Sequence, residues 1–279
     1  MKRRLIFMAM QNLQLTLETA SANLALDEGL LAWAEANQSR DLGPPSLQAP
    51  SDIHGILRLW EPKQYFVVLG RSSQPQQEVD LATCRGDGIP VLRRCSGGAT
   101  IVAGPGCLMY ALVLGYPNSI QSLPDIGYIH QFVLTRMTQA LSHLASGIVS
   151  VGTSDLAIPM SHIINNKGHK NKGQLHKFSG NSLRCKRTHF LYHGTLLYDF
   201  DLPKIGRWLR MPPRQPAYRS VRPHDRFVTN LPTTCDQLRH ALIQGWQALQ
   251  PLNDWPRART AKLTREKFHE ELGASIFNY

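Results

Sequence analysis

The sequence predicts an α+β protein, with a mixed β-sheet that has helices packed on one side and a smaller subsidiary sheet. Strand-like and helix-like segments are mixed along the 279 residues without strict βαβ alternation. Apolar residues make up 42% of the chain and charged residues 18%, which is enough to bury a core. A disordered or fibrous protein is therefore excluded.

In the first half of the chain, Leu26, Leu30 and Trp33 recur at helical spacing and predict a helix over 21–36. Prolines and serines in 41–52 predict a loop. Short apolar runs predict strands at 56–60 and 65–69. Residues 89–115 predict a three-strand meander, with strands at 91–94, 99–103 and 108–114 and glycine turns between them.

In the second half, a long apolar stripe interrupted only by Arg136 predicts a helix over 125–145. A polar, lysine-rich and asparagine-rich composition predicts a surface loop at 159–175. The proline-rich segment 212–232 predicts irregular backbone. The remaining expected strands are 148–151, 156–158, 176–183 and 189–199, and the remaining expected helices are 235–249 and 262–272.

Charge and cysteine usage limit the class of protein further. The net charge of +11 predicts an anionic partner or substrate. No apolar run approaches the roughly 20 residues of a membrane span, and the apolar stretch after Met1 is too short for a signal peptide. The five cysteines are odd in number and form no CxxC pair, so we expect a cytoplasmic protein without disulfides or membrane contact.

Three short blocks contain residues suited to chemistry, whereas P-loop, GxGxxG, HExxH and GxSxG motifs are absent. Arg93 and Arg94 lead into Ser96-Gly97-Gly98-Ala99, which is either a phosphate cradle or a tight hairpin with solvated arginines. Spacing alone favours the hairpin. Lys177-Phe178-Ser179-Gly180-Asn181 follows Asp155, and His193-Gly194-Thr195 comes next. Each block alone is a weak signal.

Together and in this order, these blocks resemble the lipoate-protein ligase and octanoyltransferase family, which shares its fold with biotin-protein ligases. The resemblance covers about 15–250. Further matching stretches are Asn23-Leu24-Ala25-Leu26-Asp27-Glu28, Leu57-Arg58-Leu59-Trp60-Glu61-Pro62, Val67-Val68-Leu69-Gly70-Arg71, Ser154-Asp155-Leu156 and Leu196-Leu197-Tyr198. The resemblance implies the biotin/lipoate-ligase-like catalytic fold.

The resemblance also implies an acyl transfer. In the ligases, lipoate (lipoic acid) and ATP give lipoyl-AMP, and the lipoyl group passes to a lysine of a lipoyl-domain acceptor protein. By resemblance Lys177 is the catalytic residue, and Asp155 lies near the phosphate and helps to hold Mg²⁺. The other residues implied to bind substrate or adenylate are Arg93, Arg94, Ser96, Gly97, Gly98, Ala99, Ser179, Gly180, His193, Gly194 and Thr195.

The chain departs from the family pattern in three places. The glycine turn is one glycine short, the segment between Asp155 and Lys177 is longer than expected, and too few residues follow 250 for the accessory domain of classical ligases. We therefore predict a catalytic domain over 1–250 and a C-terminal tail over 251–279. A separate accessory protein is one way to supply the missing part. Without a heptad or apolar stripe, we expect a monomer.

Two alternatives stay open. An octanoyl or lipoyl transferase would use a cysteine nucleophile, and Cys185, flanked by Arg184 and Lys186, is the first candidate, although no cysteine occupies a transferase position. A basic nucleic-acid-binding protein is the remote alternative. The basic residues are spread out and not interleaved with aromatic residues, which argues against it.

Overall fold

The computed structural model describes residues 10–38, 55–116, 125–159 and 173–268. Its strands are β1 Met10–Gln14, β2 Gly55–Trp60, β3 Phe66–Leu69, β4 Val91–Arg93, β5 Ile101–Ala103, β6 Cys107–Gly115, β7 Val149–Val151, β8 Asp155–Pro159, β9 Leu175–Cys185, β10 His189–Leu197 and β11 Gln250–Pro251. Its α-helices are α1 Ala20–Gln38, α2 Pro75–Glu78, α3 Leu81–Gly86, α4 Ile126–Leu141, α5 Pro203–Trp208, α6 His224–Phe227, α7 Cys235–Trp246 and α8 Arg257–Phe268. A 3₁₀ turn spans Ala217–Arg219.

The described strands form two sheets. The large, mixed sheet has the order β11-β1-β2-β6-β10-β9-β8-β7 and is parallel only where β1 pairs with β11 and β2. The small sheet has the order β4-β3-β5, with β3 parallel to β4 and antiparallel to β5. The predicted α+β class, with a mixed sheet and a smaller second sheet, is confirmed.

Helices cover both faces of the large sheet, so the expectation of helices on one side is wrong. Leu57 and Leu59 of β2 pack in the core cluster that contains α4 and α7, whereas Ile56 packs in the cluster that contains α1. All six residues of β2 are buried. A continuous apolar strand such as β6 is typical of a sheet buried on both faces, and this signal was present in the sequence.

The predicted meander over 89–115 is also wrong. Its first two strands, β4 and β5, do not pair with each other, because the fully buried β3 lies between them in the small sheet. Its third strand, β6, belongs to the large sheet. The Ser96-Gly97-Gly98 segment is therefore a link from one edge of the small sheet to the other and not a hairpin turn.

Local signals placed the four longest described helices but not the short α2, α3, α5 and α6. The predicted helices over 21–36, 125–145, 235–249 and 262–272 correspond to α1, α4, α7 and α8. Arg136, the polar residue in the stripe of α4, donates from Nε to the carbonyl of Gly245 at 3.0 Å and lies over the Trp246 ring. Thr234 and Gln237 form the capping box that begins α7.

Parts of the sequence analysis lie outside the described residues. The loop predicted over 41–52 does so entirely, and the loop predicted over 159–175 does so from 160 to 172. The described C-terminal elements pack onto the fold: β11 pairs with β1, and α8 contacts α1. None of the described helices is long and apolar enough to cross a membrane.

Candidate active site

A cavity of about 410 Å³ lies between the small sheet, β9, β10 and the segment 209–228. Most of the residues singled out in the sequence line it together: Arg94, Gly98, Ala99, Asp155, Lys177, Ser179, Gly180, His193, Gly194 and Thr195. Arg93, Ser96 and Gly97 do not belong to its lining. The three sequence blocks therefore converge on one site, although they come from both sheets.

Lys177 and Asp155 form an ion pair in this cavity. Lys177 Nζ lies 2.7 Å from Asp155 Oδ1, and the two side chains are 26% and 11% exposed. A bulge between Leu156 and Ala157 shifts the β8–β9 register, so that Asp155 pairs with Gly180 and Ala157 with Lys177. A Cβ on Gly180 would lie 2.7 Å from Lys177 Nζ. The absence of a side chain at Gly180 thus leaves room for the ammonium group.

Arg94 shapes the glycine turn from inside. Its Nη2 donates to the carbonyls of Gly97 at 2.6 Å and Ala99 at 3.0 Å. Burial lowers the pKa of Arg94 to about 10. Gly98 has φ of 85°, and Gly98 and Ala99 are exposed at the cavity. Arg94 is thus committed to the turn, which leaves the backbone of 98–99 facing the cavity.

Arg93 supports a neighbouring segment. Its Nη1 donates to the carbonyls of Gly70 at 2.8 Å, Arg71 at 3.2 Å and Ser73 at 3.0 Å. A Cβ on Gly70 would lie 2.0 Å from the carbonyl oxygen of Gly98, so this segment packs directly against the turn. The structure therefore gives Arg93 a supporting contact behind the cavity instead of a position in its lining.

A chain of buried polar groups runs from α1 to the glycine turn. Asp27 accepts from Arg58 Nη1 at 2.5 Å, and its other oxygen lies 3.4 Å from Nδ1 of His193. His193 Nε2 lies 2.5 Å from Ser96 Oγ, which also accepts from Arg94 Nε at 3.1 Å. Burial raises the pKa of Asp27, but Arg58 and His193 together bring it below its usual value. This chain fixes His193 and Ser96 beside the turn.

The segment 209–228 contributes site residues that the sequence analysis missed. Tyr218 OH donates to Asp155 Oδ2 at 2.8 Å, and burial and the Asp155 charge raise the pKa of Tyr218, so its phenol stays protonated. Arg219 is 4% exposed, lines the cavity and lies over the Phe227 ring at 4.6 Å. The cluster of arginines among the prolines was a usable signal.

The segment has an unusual backbone conformation at two positions that follow Tyr218. Ser220 and Val221 have φ of 51° and 57°, in the left-handed region that disfavours β-branched residues. Arg219 and Arg222 brace the turn, because each donates from Nε to the carbonyl of the other at 2.9 Å. The polar contacts of the segment thus hold Tyr218 against Asp155.

A large part of the cavity lining is apolar and suits a hydrocarbon chain. The apolar residues come from α1, the small sheet, β6, β9, β10, α5 and the segment after α5. They are Leu24, Val68, Ile101, Val102, Met109, Phe178, Leu197, Ile205, Leu209, Phe227 and Val228. A charged end beside an apolar interior fits an acid with a medium-length aliphatic tail.

Comparison with known proteins identifies the family. The model of the family described as Lipoyl protein ligase A/B catalytic domain matches residues 19–245. The chain belongs to this family. The resemblance found in the sequence is thereby confirmed.

Solved structures of lipoate-protein ligases share the fold. A bi-partite lipoate protein ligase from Thermoplasma acidophilum, from work on an archaeal lipoylation system and its E2 lipoyl domain, matches with a TM-score of 0.69, 20% identity and 93% of each chain covered. Lipoate-protein ligase A bound with ATP matches with a TM-score of 0.67 and 22% identity, over 96% of this chain and 97% of that one. A putative lipoate protein ligase from T. acidophilum with bound lipoic acid matches with a TM-score of 0.62 and 21% identity, over 94% of this chain and 95% of that one.

The family includes transferases that use a cysteine, so the cysteine positions matter. All five cysteines are described, and none lines the cavity. Burial raises the pKa of Cys107, and burial with the nearby acidic groups Glu28 and Asp27 raises that of Cys95 to about 12. Cys185 lies at the end of β9 and packs against the α4/α7 core cluster. The cavity thus has no thiol nucleophile.

The resemblance found in the sequence also implies Mg²⁺, and the donor set can be tested for it. Among the described residues no group of three His, Cys, Asp or Glu side chains could hold a metal. Glu78 lines the cavity, but its carboxylate already accepts from Thr100 N and Oγ1 and from Ser73 Oγ. Asp155 is the remaining carboxylate, and each of its oxygens has one contact, with Lys177 or with Tyr218, which leaves lone pairs for a cation. This arrangement fits Mg²⁺ carried by a polyphosphate, which commonly takes only one or two protein carboxylates.

Proposed function

We propose that this member of the family is an ATP-dependent, AMP-forming lipoate-protein ligase. It activates lipoate to lipoyl-AMP with release of pyrophosphate and transfers the lipoyl group to a lysine of an acceptor lipoyl domain. One observation carries the proposal: the Lys177–Asp155 pair lies in a cavity that none of the five cysteines lines. A mixed-anhydride route needs an electrostatic site and no thiol, whereas a transferase route needs a thiol.

The charges of the cavity support an anionic substrate. Its lining includes five cationic side chains, from Arg94, Lys177, Arg210, Arg214 and Arg219, against the carboxylates of Glu78 and Asp155. Arg94 and Arg219 already donate to the backbone of their own turns. Lys177 and the exposed Arg210 and Arg214, in contrast, can bind phosphate and carboxylate oxygens. ATP and lipoate are both anions, and the ATP-bound and lipoic-acid-bound proteins of the same fold support this pair of substrates.

In the first step, a lipoate carboxylate oxygen attacks the α-phosphorus of ATP and pyrophosphate leaves. Lys177 supplies an ammonium group that neutralises the carboxylate and the phosphate as they approach. The exposed backbone of Gly98 and Ala99 offers N–H groups to the phosphate at a turn that Arg94 keeps in shape. When bound with ATP, Mg²⁺ would be held by Asp155 and would add positive charge at the phosphates.

In the second step, the neutral ε-amine of the acceptor lysine attacks the acyl carbon, an amide bond forms and AMP leaves. The negative charge that develops on the carbonyl oxygen lies within reach of Lys177. The amine loses one proton, and under this proposal Asp155 accepts it after Lys177 turns to the substrate. Tyr218 keeps Asp155 in place through the transfer.

The partners follow from the same proposal. The acceptor is a lipoyl-domain protein, in line with the E2 lipoyl domain studied with the T. acidophilum ligase. That ligase is bi-partite, which supports a separate accessory protein here as well. The catalytic domain over 1–250, the tail over 251–279, the monomeric state and the cytoplasmic location stay predictions.

Mass spectrometry of an apo lipoyl domain tests the proposal. Incubation with the protein, lipoate and Mg-ATP should add one lipoyl group to the domain, and the Lys177→Met variant should not add it. A parallel incubation replaces lipoate and ATP with an octanoyl carrier protein. Acyl transfer only in that parallel arm would show that the protein is a transferase.

A further inference from the structure

The outer surface of α8 is strongly basic. The helix contains five basic residues and one acidic residue, Glu266. Arg257, Arg259, Lys262, Arg265 and Lys267 are all exposed. Lys262 pairs with Glu266 at 3.7 Å, and Lys267 pairs with Glu28 of α1. The helix therefore concentrates much of the charge excess of the chain on one exposed element.

The inner surface of α8 fixes the helix on α1. Thr260 and Phe268 are buried, and a Cβ on Gly29 of α1 would lie 3.1 Å from Thr260 Oγ1 and 3.8 Å from Leu263 Cδ1. With this surface turned inward, Lys262 and Arg265 point away from α1, because they lie on the opposite side of the helical wheel. The basic side chains thus form a surface on a firmly packed helix.

One end of this surface lies close to Cys95, in the segment that leads into the glycine turn. Phe268, at the end of α8, belongs to the same apolar cluster as Leu24, which lines the cavity. Lys267 and Arg184 both lie close enough to Cys95, the residue before Ser96, to oppose the rise in its pKa that burial causes. Ser182, on the same face of β9 as Arg184, donates to the carbonyl of Gly97 at 2.6 Å. Basic groups therefore extend from α8 to the glycine turn.

We propose that α8 and Arg184 form a docking surface for an acidic face of the acceptor protein domain. The proposal rests on the proposed function and names the surface that this function needs. A small acceptor domain must present its lysine at the cavity mouth, and an adjoining basic surface would attract and orient an acidic partner. Stacking on nucleic-acid bases would need exposed aromatic side chains, and the only aromatic residue in α8, Phe268, is buried.

The test compares two double charge reversals. Arg259→Glu/Arg265→Glu changes two exposed residues of α8, and Lys63→Glu/Arg85→Glu makes the same charge change on exposed residues in the β2–β3 turn and α3. Thermal unfolding first confirms that both variants fold. Lipoate-dependent pyrophosphate release without acceptor, KM and kcat for an acidic apo lipoyl domain, and binding of that domain by calorimetry are then measured at low and high salt.

We expect the α8 variant to bind the domain about tenfold more weakly at low salt and to show a matching rise in KM, with kcat and pyrophosphate release unchanged. The difference should shrink at high salt, because salt screens exposed charges. Equal binding of the domain by the two variants would overturn the docking proposal. If the wild type releases no pyrophosphate either alone or with an added accessory protein, the proposed function fails, while calorimetry still decides whether α8 docks the domain.

Discussion

Replacing Lys177 with methionine separates the chemical role of the ammonium group from its role in folding. Lys177 is 26% exposed but Asp155 only 11%, so removing the ammonium group leaves a largely buried carboxylate. The removal therefore costs more than the loss of an exposed pair, which is worth about 0–1 kcal/mol. Asp155 also keeps its hydrogen bond from Tyr218 in the variant. Methionine fills a similar volume, and we expect the variant to fold.

The effect on catalysis should be much larger. Loss of one group that stabilises developing negative charge costs about 10²–10³ in rate, or about 2.7–4 kcal/mol. Single-turnover measurement of lipoyl-AMP formation and of transfer to the acceptor domain gives both rates, and urea unfolding gives the stability. Lys63→Met, at an exposed lysine, is the matched control. A Lys177→Met enzyme that folds and keeps more than about a tenth of the wild-type rates would refute the assignment.

Three other predictions concern the thiols, Tyr218 and Glu78. A variant with Cys95, Cys107 and Cys185 all changed to serine should keep most of its lipoate-dependent activity and form no hydroxylamine-sensitive acyl-enzyme. The change at the buried Cys107 costs about 1–3 kcal/mol of stability. Tyr218→Phe should lower the rate of lipoyl-AMP formation about tenfold, since a hydrogen bond to a charged group is worth about 1.5–3 kcal/mol, while Tyr128→Phe, at an exposed position, should not. Burial raises the pKa of Glu78, but hydrogen bonds from Thr100 and others bring it below 4.5, so its stabilising effect is complete above pH 4.5 and is lost as the pH falls through the lowered pKa. The free energies of unfolding of the wild type and of Glu78→Gln, measured with urea from pH 7 to pH 3, should therefore converge at the acid end. A constant difference between them across this range would contradict the prediction.

Local sequence patterns predicted the long helices and most strands, but not which strands pair with each other. The apolar stripe of α4 and the capping box at Thr234 are encoded within a few residues, so the helices could be placed from the sequence. The pairing of β3 between β4 and β5 depends on contacts between distant segments, and a glycine turn between two strands looks like a hairpin whether or not they pair. The second helical layer could have been inferred from the unbroken apolar run of β6.

The grouping of several candidate residues was predictable from the order of the three sequence blocks, although each block alone is a weak signal. Lys177, Asp155 and the turn at Gly98 lie together as the resemblance implied. The sequence could not separate Arg93 from Arg94, because neighbouring residues on a strand point to opposite faces and the pattern does not say which face meets the cavity. Tyr218 was missed because its role depends on a fold of irregular backbone that brings it to Asp155.

The left-handed backbone at Ser220 and Val221 has a consequence for engineering this enzyme. Val221 is 78% exposed and makes little use of its side chain, so its conformation is a cost of about 1–3 kcal/mol that packing does not offset. A search for more heat-resistant variants would therefore find glycine or asparagine at 221 early. Glycine at this position would also make the backbone that holds Tyr218 more flexible. A gain in melting temperature would therefore come with a less fixed position of Tyr218 beside Asp155.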